Sequence, residues 1–354
     1  MSERILLLGA TPLAAEIARG MSQRPRRYRL AGIVDTGPDP SGAGGGCTAA
    51  RLLEIVRRTR ADRIVTTLAG RKGARTMRVL LEVCTATRVA AEEGTSFYER
   101  LTGRIPIELV PLRSIVFSWR FGGLRRASPA ISRALSIVAA AVVLSVCAPL
   151  LALIAAAIKI DSRGPVLFVQ ARMGAGGRPF RMLKFRTMRE TGGRPSEWEG
   201  DNRHRVTRVG WWLRRFRLDE LPQFVNILRG EMNLVGPRPH PVSNRELFTL
   251  VGRNLNDRTG SAIGYYALRS MAVPGLTGWA QVRYRYANNL EEEIEKLRYD
   301  LYYVKHRSTL FDLRILLETV RAVVVAPRPA PPHPAPQARD AQFDAFELTR
   351  TTTA

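Results

Sequence analysis

The chain has 354 residues, 45% hydrophobic and 24% charged, and its 55 Lys and Arg against 31 Asp and Glu give a formal charge of +24. The length suits two domains, and the apolar content excludes disorder throughout. The charge points to an anionic partner (nucleic acid, anionic lipid or phosphorylated substrate). Only five of the 55 basic residues are Lys. That Arg excess suits bidentate phosphate recognition, but a GC-rich coding bias takes the larger share. Cys47, Cys84 and Cys147 are an odd count without a CxxC spacing, which argues against a disulfide framework or a Cys-based metal site.

The apolar run at residues 5–8 is too short for a signal peptide, so the N-terminus is expected in the cytoplasm. Residues 4–9 read as a buried strand entering a Gly turn, and 11–21 as a helix carrying Leu13, Ile17 and Met21. Residues 29–35 read as a strand ending at Asp35, 52–60 as a helix, 63–68 as a strand and 76–84 as a helix. Strands alternating with helices predict a Rossmann-like α/β domain over 1–115. Dinucleotide binding would use Gly9 at the turn and Asp35 on a ribose. The turn Gly9-Ala10-Thr11-Pro12-Leu13-Ala14 lacks the second and third glycines of GxGxxG. A domain without a catalytic cofactor is the better reading. Residues 37–46, rich in Gly and Pro, read as a flexible loop.

Residues 135–158 are uninterrupted by charge. As a straight helix they would span about 36 Å, enough for a hydrocarbon core of about 30 Å. Pro149 removes a helical hydrogen bond near the middle, which favours a kink. Basic residues flank both ends, with Arg120, Arg125, Arg126 and Arg133 before and Lys159 and Arg163 after. A spanning helix carries its cations mainly on one side, so a re-entrant membrane helix over 130–160 is expected. A buried core helix fits such a long apolar run less well.

Residues 159–325 read as a second globular unit. Basic and apolar residues alternate from Lys159 through Lys184 and Arg186, as in a half-buried strand with cations on one face. Lipid phosphate, a nucleotide diphosphate or plain solvent would satisfy that face. Val209, Trp212, Leu213 and Phe216 form a helical apolar stripe, read as core or interfacial packing. Next comes Leu218-Asp219-Glu220-Leu221-Pro222-Gln223, where Pro222 should restart the helix. Adjacent carboxylates among arginines are expected to have lowered pKa values and to stay ionised. One could attack phosphorus and the other hold Mg²⁺, or the pair could simply balance charge at a helix end. A Pro-rich tail, expected to be disordered, runs over 326–354.

Read in order, Gly-Pro-Val-Leu-Phe (164–168), Lys-Phe-Arg-Thr-Met (184–188), Leu-Asp-Glu-Leu-Pro-Gln (218–223), Val-Gly-Pro-Arg-Pro (235–239) and Pro-Gly-Leu-Thr-Gly-Trp-Ala-Gln (274–281) resemble the bacterial sugar transferases. These are polyprenyl-phosphate hexose-1-phosphate transferases with a monotopic membrane anchor. The N-terminal domain and Tyr299-Asp300-Leu301-Tyr302-Tyr303 resemble the exosortase-associated branch. The resemblance implies an α/β chain: a Rossmann-like N-terminal domain, a re-entrant helix and a small, largely helical phosphoglycosyl transferase domain over 159–325. It implies Asp219 as nucleophile, Glu220 as its dyad partner, and Mg²⁺ at both. It places Lys184, Arg186, Arg214, Arg215, Gln223, Pro237, Arg238 and Pro239 at the substrates and Pro149 at the membrane kink.

The reaction implied moves a sugar 1-phosphate from a UDP-sugar to undecaprenyl phosphate, releases UMP through a phosphosugar-aspartyl intermediate, and so initiates glycan assembly. The implied setting is the cytoplasmic face of the bacterial inner membrane, with both termini there. Anionic lipid and other glycan-assembly proteins are expected partners, a homo-oligomer is admitted, and no nucleic acid is expected. Where other members carry Ser before the helix-breaking Pro, this chain has Ala148-Pro149. The alternatives are a membrane scaffold with a ligand-binding N-terminal domain and an NAD-dependent oxidoreductase. The missing glycines count against the latter.

Overall fold

The computed structural model describes residues 2–35, 48–68, 70–109, 129–189, 205–242, 261–284 and 290–324. The readings at 37–46, at Arg120, Arg125 and Arg126, and in the 326–354 tail lie outside the described residues. The chain is α/β.

The N-terminal unit alternates β1 (Glu3–Leu8), α1 (Pro12–Ser22), β2 (Tyr28–Val34), α2 (Ala49–Thr59), β3 (Arg63–Thr66), α3 (Gly70–Thr87), β4 (Ala90–Glu93) and α4 (Gly94–Thr102). Its sheet is parallel, in the order β2-β1-β3-β4. Central β1 is apolar on both faces because helices cover both. Ile5 and Leu7 pack with Ile17, Phe97 and Tyr98, while Leu6 and Leu8 pack with Leu52, Val56 and Ile64. Thr11 caps α1 by accepting from the Ala14 amide (3.2 Å), with Pro12 in the first turn. The crest of the first turn is filled from within. A Cβ on Gly9 would lie 2.7 Å from Leu68 Cδ2, and the Thr67 hydroxyl donates to the Gly9 carbonyl (2.9 Å).

Helices α5 (Pro129–Val146) and α6 (Ala148–Asp161) follow, bent by 63° at a break at Cys147. Pro149 sits in the first turn of α6, where its missing N–H costs nothing. Among the described residues no single helix is long and apolar enough to cross a membrane, although this bent pair passes the same test together. Ile131, Leu135, Val138, Val142, Val146 and Leu153 of the pair are exposed.

The remainder comprises a hairpin of β5 (Leu167–Met173) and β6 (Pro179–Phe185), then α7 (Arg208–Arg215), α8 (Gln223–Arg229), β7 (Asn233–Val235), α9 (Ser261–Ser270), β8 (Gly275–Thr277), α10 (Trp279–Arg283), α11 (Leu290–His306) and α12 (Thr309–Val324). Strand β6 is covered on both sides, and Lys184 shares one face of the hairpin with Arg172 of β5. Met182 packs with Ala140, Ile227 and Met232, and Phe185 with Ile154, Ile158 and Leu213. The Asp161 carboxylate at the end of α6 accepts from the Val209 amide (3.0 Å), which ties the bent pair to the start of α7.

The N-terminal unit shares its core with the C-terminal half. Tyr98, Leu101, Ile105 and Ile107 form one cluster with Tyr265, Leu297 and Leu301. Polar contacts frame that seam. Trp279 Nε1 donates to the Gly103 carbonyl (2.8 Å), and Glu99 receives Lys305 and His306, each at 2.8 Å. Arg104–Glu295 and Arg298–Glu108 are ion pairs.

Candidate active site

Asp219 and Glu220 occupy a 3₁₀ turn (Leu218–Glu220) between α7 and α8. Arg217 enters it in the left-handed region (φ 55°), at a cost of roughly 1–2 kcal/mol for a side-chain-bearing residue. Pro222 caps α8, so the chain breaks and restarts as the sequence predicts.

Three cations converge on Glu220: Arg238 Nη2 at 3.4 Å, Lys184 Nζ at 3.7 Å and Arg217 Nη1 at 3.7 Å. Burial alone would push the Glu220 carboxyl up, but Arg238, Lys184 and Arg217 outweigh it and hold it below the usual carboxylate range. Asp219 goes the other way. Burial raises it, Glu220 adds to the rise, and Lys184, Arg214 and Arg238 offset only part. The expectation that cations lower both carboxylates therefore holds for Glu220 and is reversed for Asp219. Burial lowers the Lys184 ammonium, against the pull of Glu220 and Asp219.

Backbone packing sets Arg238. A Cβ on Gly236 would sit 2.3 Å from the Val273 carbonyl, one on Gly275 would sit 2.0 Å from the Gly236 nitrogen, and one on Gly278 would sit 2.2 Å from the Gly236 carbonyl. Only glycines allow β7 and β8 this approach. The loop leaving β7 is fixed further by the Gly275 amide on the Pro237 carbonyl (3.0 Å). From it, Arg238 Nη1 donates to Gln281 Oε1 (3.1 Å), and Arg269 donates to the Arg238 carbonyl (2.5 Å). Arg269 is itself held by Asp300 (2.7 Å), and both are buried.

Lys184, Arg214, Gln223, Arg238 and Pro239 thus gather about the dyad. Lys184, Gln223, Arg238 and Pro239 share a small crevice with Arg172, while buried Pro237 shapes the loop. Arg214, Arg215, Arg217 and Glu220 border a cavity of about 490 Å³. Arg186 is committed elsewhere. It is buried and donates to the Ser162 carbonyl (2.7 Å) and hydroxyl (2.9 Å), fastening the end of α6. Of the cations flanking the apolar segment, Arg133 donates to the Met232 (2.8 Å) and Ile227 (2.5 Å) carbonyls, whereas Lys159 and Arg163 are exposed. The stripe on α7 divides. Leu213 is buried, while Trp212 and Phe216 lie outside, stacked at 5.8 Å.

Gln281, Arg269, Asp300 and Asn226 escaped the sequence reading as site-building residues. Asn226 is wholly buried, accepts from the Leu183 amide (3.0 Å) and donates to the Arg181 carbonyl (2.8 Å), which locks α8 to β6. A polar residue on the covered side of a helix is the one signal that could have found it.

Among the described residues no three His, Cys, Asp or Glu side chains gather as a metal cage. Two adjacent carboxylates fit the kind of Mg²⁺ site that is completed by water and substrate phosphates.

The sequence model of the bacterial sugar transferases matches residues 127–326. The chain is 33% identical to the UDP-N-acetylgalactosamine-undecaprenyl-phosphate N-acetylgalactosaminephosphotransferase of Aeromonas hydrophila, over 78% of this chain and 63% of that protein. It is 41% identical to the UDP-glucose:undecaprenyl-phosphate glucose-1-phosphate transferase of Caulobacter vibrioides, over 62% of this chain and 79% of that one. With the undecaprenyl-phosphate glucose phosphotransferase of Komagataeibacter xylinus it is 31% identical over 91% of this chain and 59% of that protein. The chain thus spans less than two thirds of the Aeromonas and Komagataeibacter relatives.

Proposed function

Because the chain belongs to the bacterial sugar transferase family, we propose that it moves a sugar 1-phosphate from a UDP-sugar to undecaprenyl phosphate. The observation that carries this reading is the half-buried Asp219-Glu220 pair ringed by Lys184, Arg214 and Arg238. Asp219, the more basic carboxylate, attacks the phosphorus bearing the sugar. The bond from that phosphorus to the bridging oxygen breaks, and UMP leaves with the electron pair. An oxygen of undecaprenyl phosphate then attacks the same phosphorus, breaks its bond to Asp219 and restores the carboxylate. Lys184, Arg214 and Arg238 balance the charge of the phosphates and the leaving group. Mg²⁺, held through Asp219 and Glu220, would supply further charge neutralisation on the diphosphate.

The exposed apolar faces of α5 and α6 support a seat in the inner membrane. In this reading the pair is re-entrant, with the catalytic portion and both termini on the cytoplasmic face and Lys159 and Arg163 toward anionic lipid. The N-terminal unit is read as Rossmann-like and without a catalytic cofactor, since Thr67 and Leu68 occupy its first turn.

The test is UMP release by detergent-purified protein with undecaprenyl phosphate, Mg²⁺ and a panel of UDP-sugars that includes UDP-glucose and UDP-N-acetylgalactosamine. Asp219→Asn should lose at least about a thousandfold in rate, and sugar label should become acid-stably bound to the wild type alone. An Asp219→Asn variant with full activity sinks the mechanism.

A further inference from the structure

Resting on the reading above, we propose that the cavity beside Glu220 seats the first isoprene units of the polyprenyl phosphate acceptor, with α12 as its outer wall. At about 490 Å³ it falls within the range of roughly 300–1,000 Å³ usual for small-molecule sites. Its lining is of two kinds. Arg214, Arg215, Arg217 and Glu220 are charged, and Phe224, Leu234, Leu276 and Leu316 supply most of the apolar remainder. That division matches an amphiphile with an anionic head and a hydrocarbon chain.

A nucleoside fits this lining poorly, because a base and a ribose need hydrogen-bond partners. The two hydroxyls among the apolar residues, Thr277 and Thr319, already bond each other (2.8 Å). Gln281 Oε1 is likewise engaged by Arg238, which leaves its Nε2 as a single amide donor for both a base and a ribose.

Helix α12 carries the apolar path outward. Leu316 and Thr319 line the cavity, and on the neighbouring face Leu310, Leu313, Leu317 and Val320 recur at three- and four-residue spacing, each more than half exposed. The start of α12 is tied to the start of α5 by the Ser132 hydroxyl donating to Asp312 (3.0 Å). The adjoining face of α5 exposes Ile131, Leu135 and Val138. A chain leaving the cavity over Leu316 therefore stays on apolar side chains until it reaches those of the bent helix pair.

Two variants of opposite character test this. Leu316→Gln places a polar group in the wall, and Ala322→Phe fills the space from the same helix without removing packing. Equilibrium binding of radiolabelled undecaprenyl phosphate to the full chain in detergent is measured beside single-turnover UMP release before acceptor is added. Both variants should bind the lipid about tenfold or more weakly, while UMP release stays within about twofold of wild type. Unchanged lipid binding in both variants, a raised KM for the UDP-sugar instead, or a wild type that does not bind the lipid overturns the proposal. A wild type that binds the lipid more tightly than the variants, yet releases no UMP from any UDP-sugar, overturns the reaction and leaves the cavity assignment standing.

Discussion

Asp219 and Glu220 are neighbours in one half-buried turn, yet their carboxyls move in opposite directions. Glu220 takes most of the cationic contact, which leaves Asp219 the more basic oxygen and so the better attacking group. A pH profile should show it. Activity requires the Asp219 carboxylate, so it falls as pH drops through that group's raised pKa, above the ordinary value of about 3.9. Lys184 is the strongest cation opposing that rise. Lys184→Met should therefore move the acid limb of kcat/KM to higher pH, along with a lower rate. A limb that stays put or moves down assigns it to another group. The dyad and its bases were legible in the sequence because charges of both signs crowd into short motifs. The Arg269–Asp300 pair was not, since its members lie 31 residues apart and meet only when α9 packs on α11.

Elements were readable where period and punctuation agreed. The central strand and α1 follow from apolar spacing and the turn between them, and the restart at α8 follows from Pro222. Pro149 marked the bend between α5 and α6 to within two residues of the break at Cys147. Periodicity groups residues on a face but does not say what covers that face, so a stripe read as core or interfacial packing has Leu213 inside and Trp212 and Phe216 outside. The role of the β7–β8 glycines was hidden for a similar reason, since a close backbone approach leaves no composition signal. It is testable at this scale. Gly236→Ala forces a methyl against the Val273 carbonyl and should cost about 1–3 kcal/mol by overpacking. A thermal melt reads the loss, and a parallel fall in UMP release would follow from a displaced Arg238. An unchanged melt removes the close-approach argument.

At the scale of the molecule, length suggested two domains, and one apolar cluster runs across the seam between the N-terminal unit and the C-terminal half. Removing residues 1–109 would uncover Tyr265, Leu297 and Leu301, each at most 7% exposed in the whole chain. Each such side chain loses roughly 1.5–3 kcal/mol of burial. The fragment 127–324 in detergent should therefore melt earlier or aggregate, read by thermal melt and size exclusion against the full chain. An equally stable, fully active fragment would refute the dependence. The seam also imposes an order in time. Glu99 and Lys305 are 206 residues apart, and the Ile105 amide waits for the Arg298 carbonyl. At about 5–20 residues per second of synthesis, that separation is roughly ten to forty seconds. Throughout that interval Tyr98, Leu101 and Ile105 have left the ribosome without the helix that covers them. The nascent N-terminal half therefore carries an uncovered apolar face, a surface for a holding chaperone, until α11 has been made.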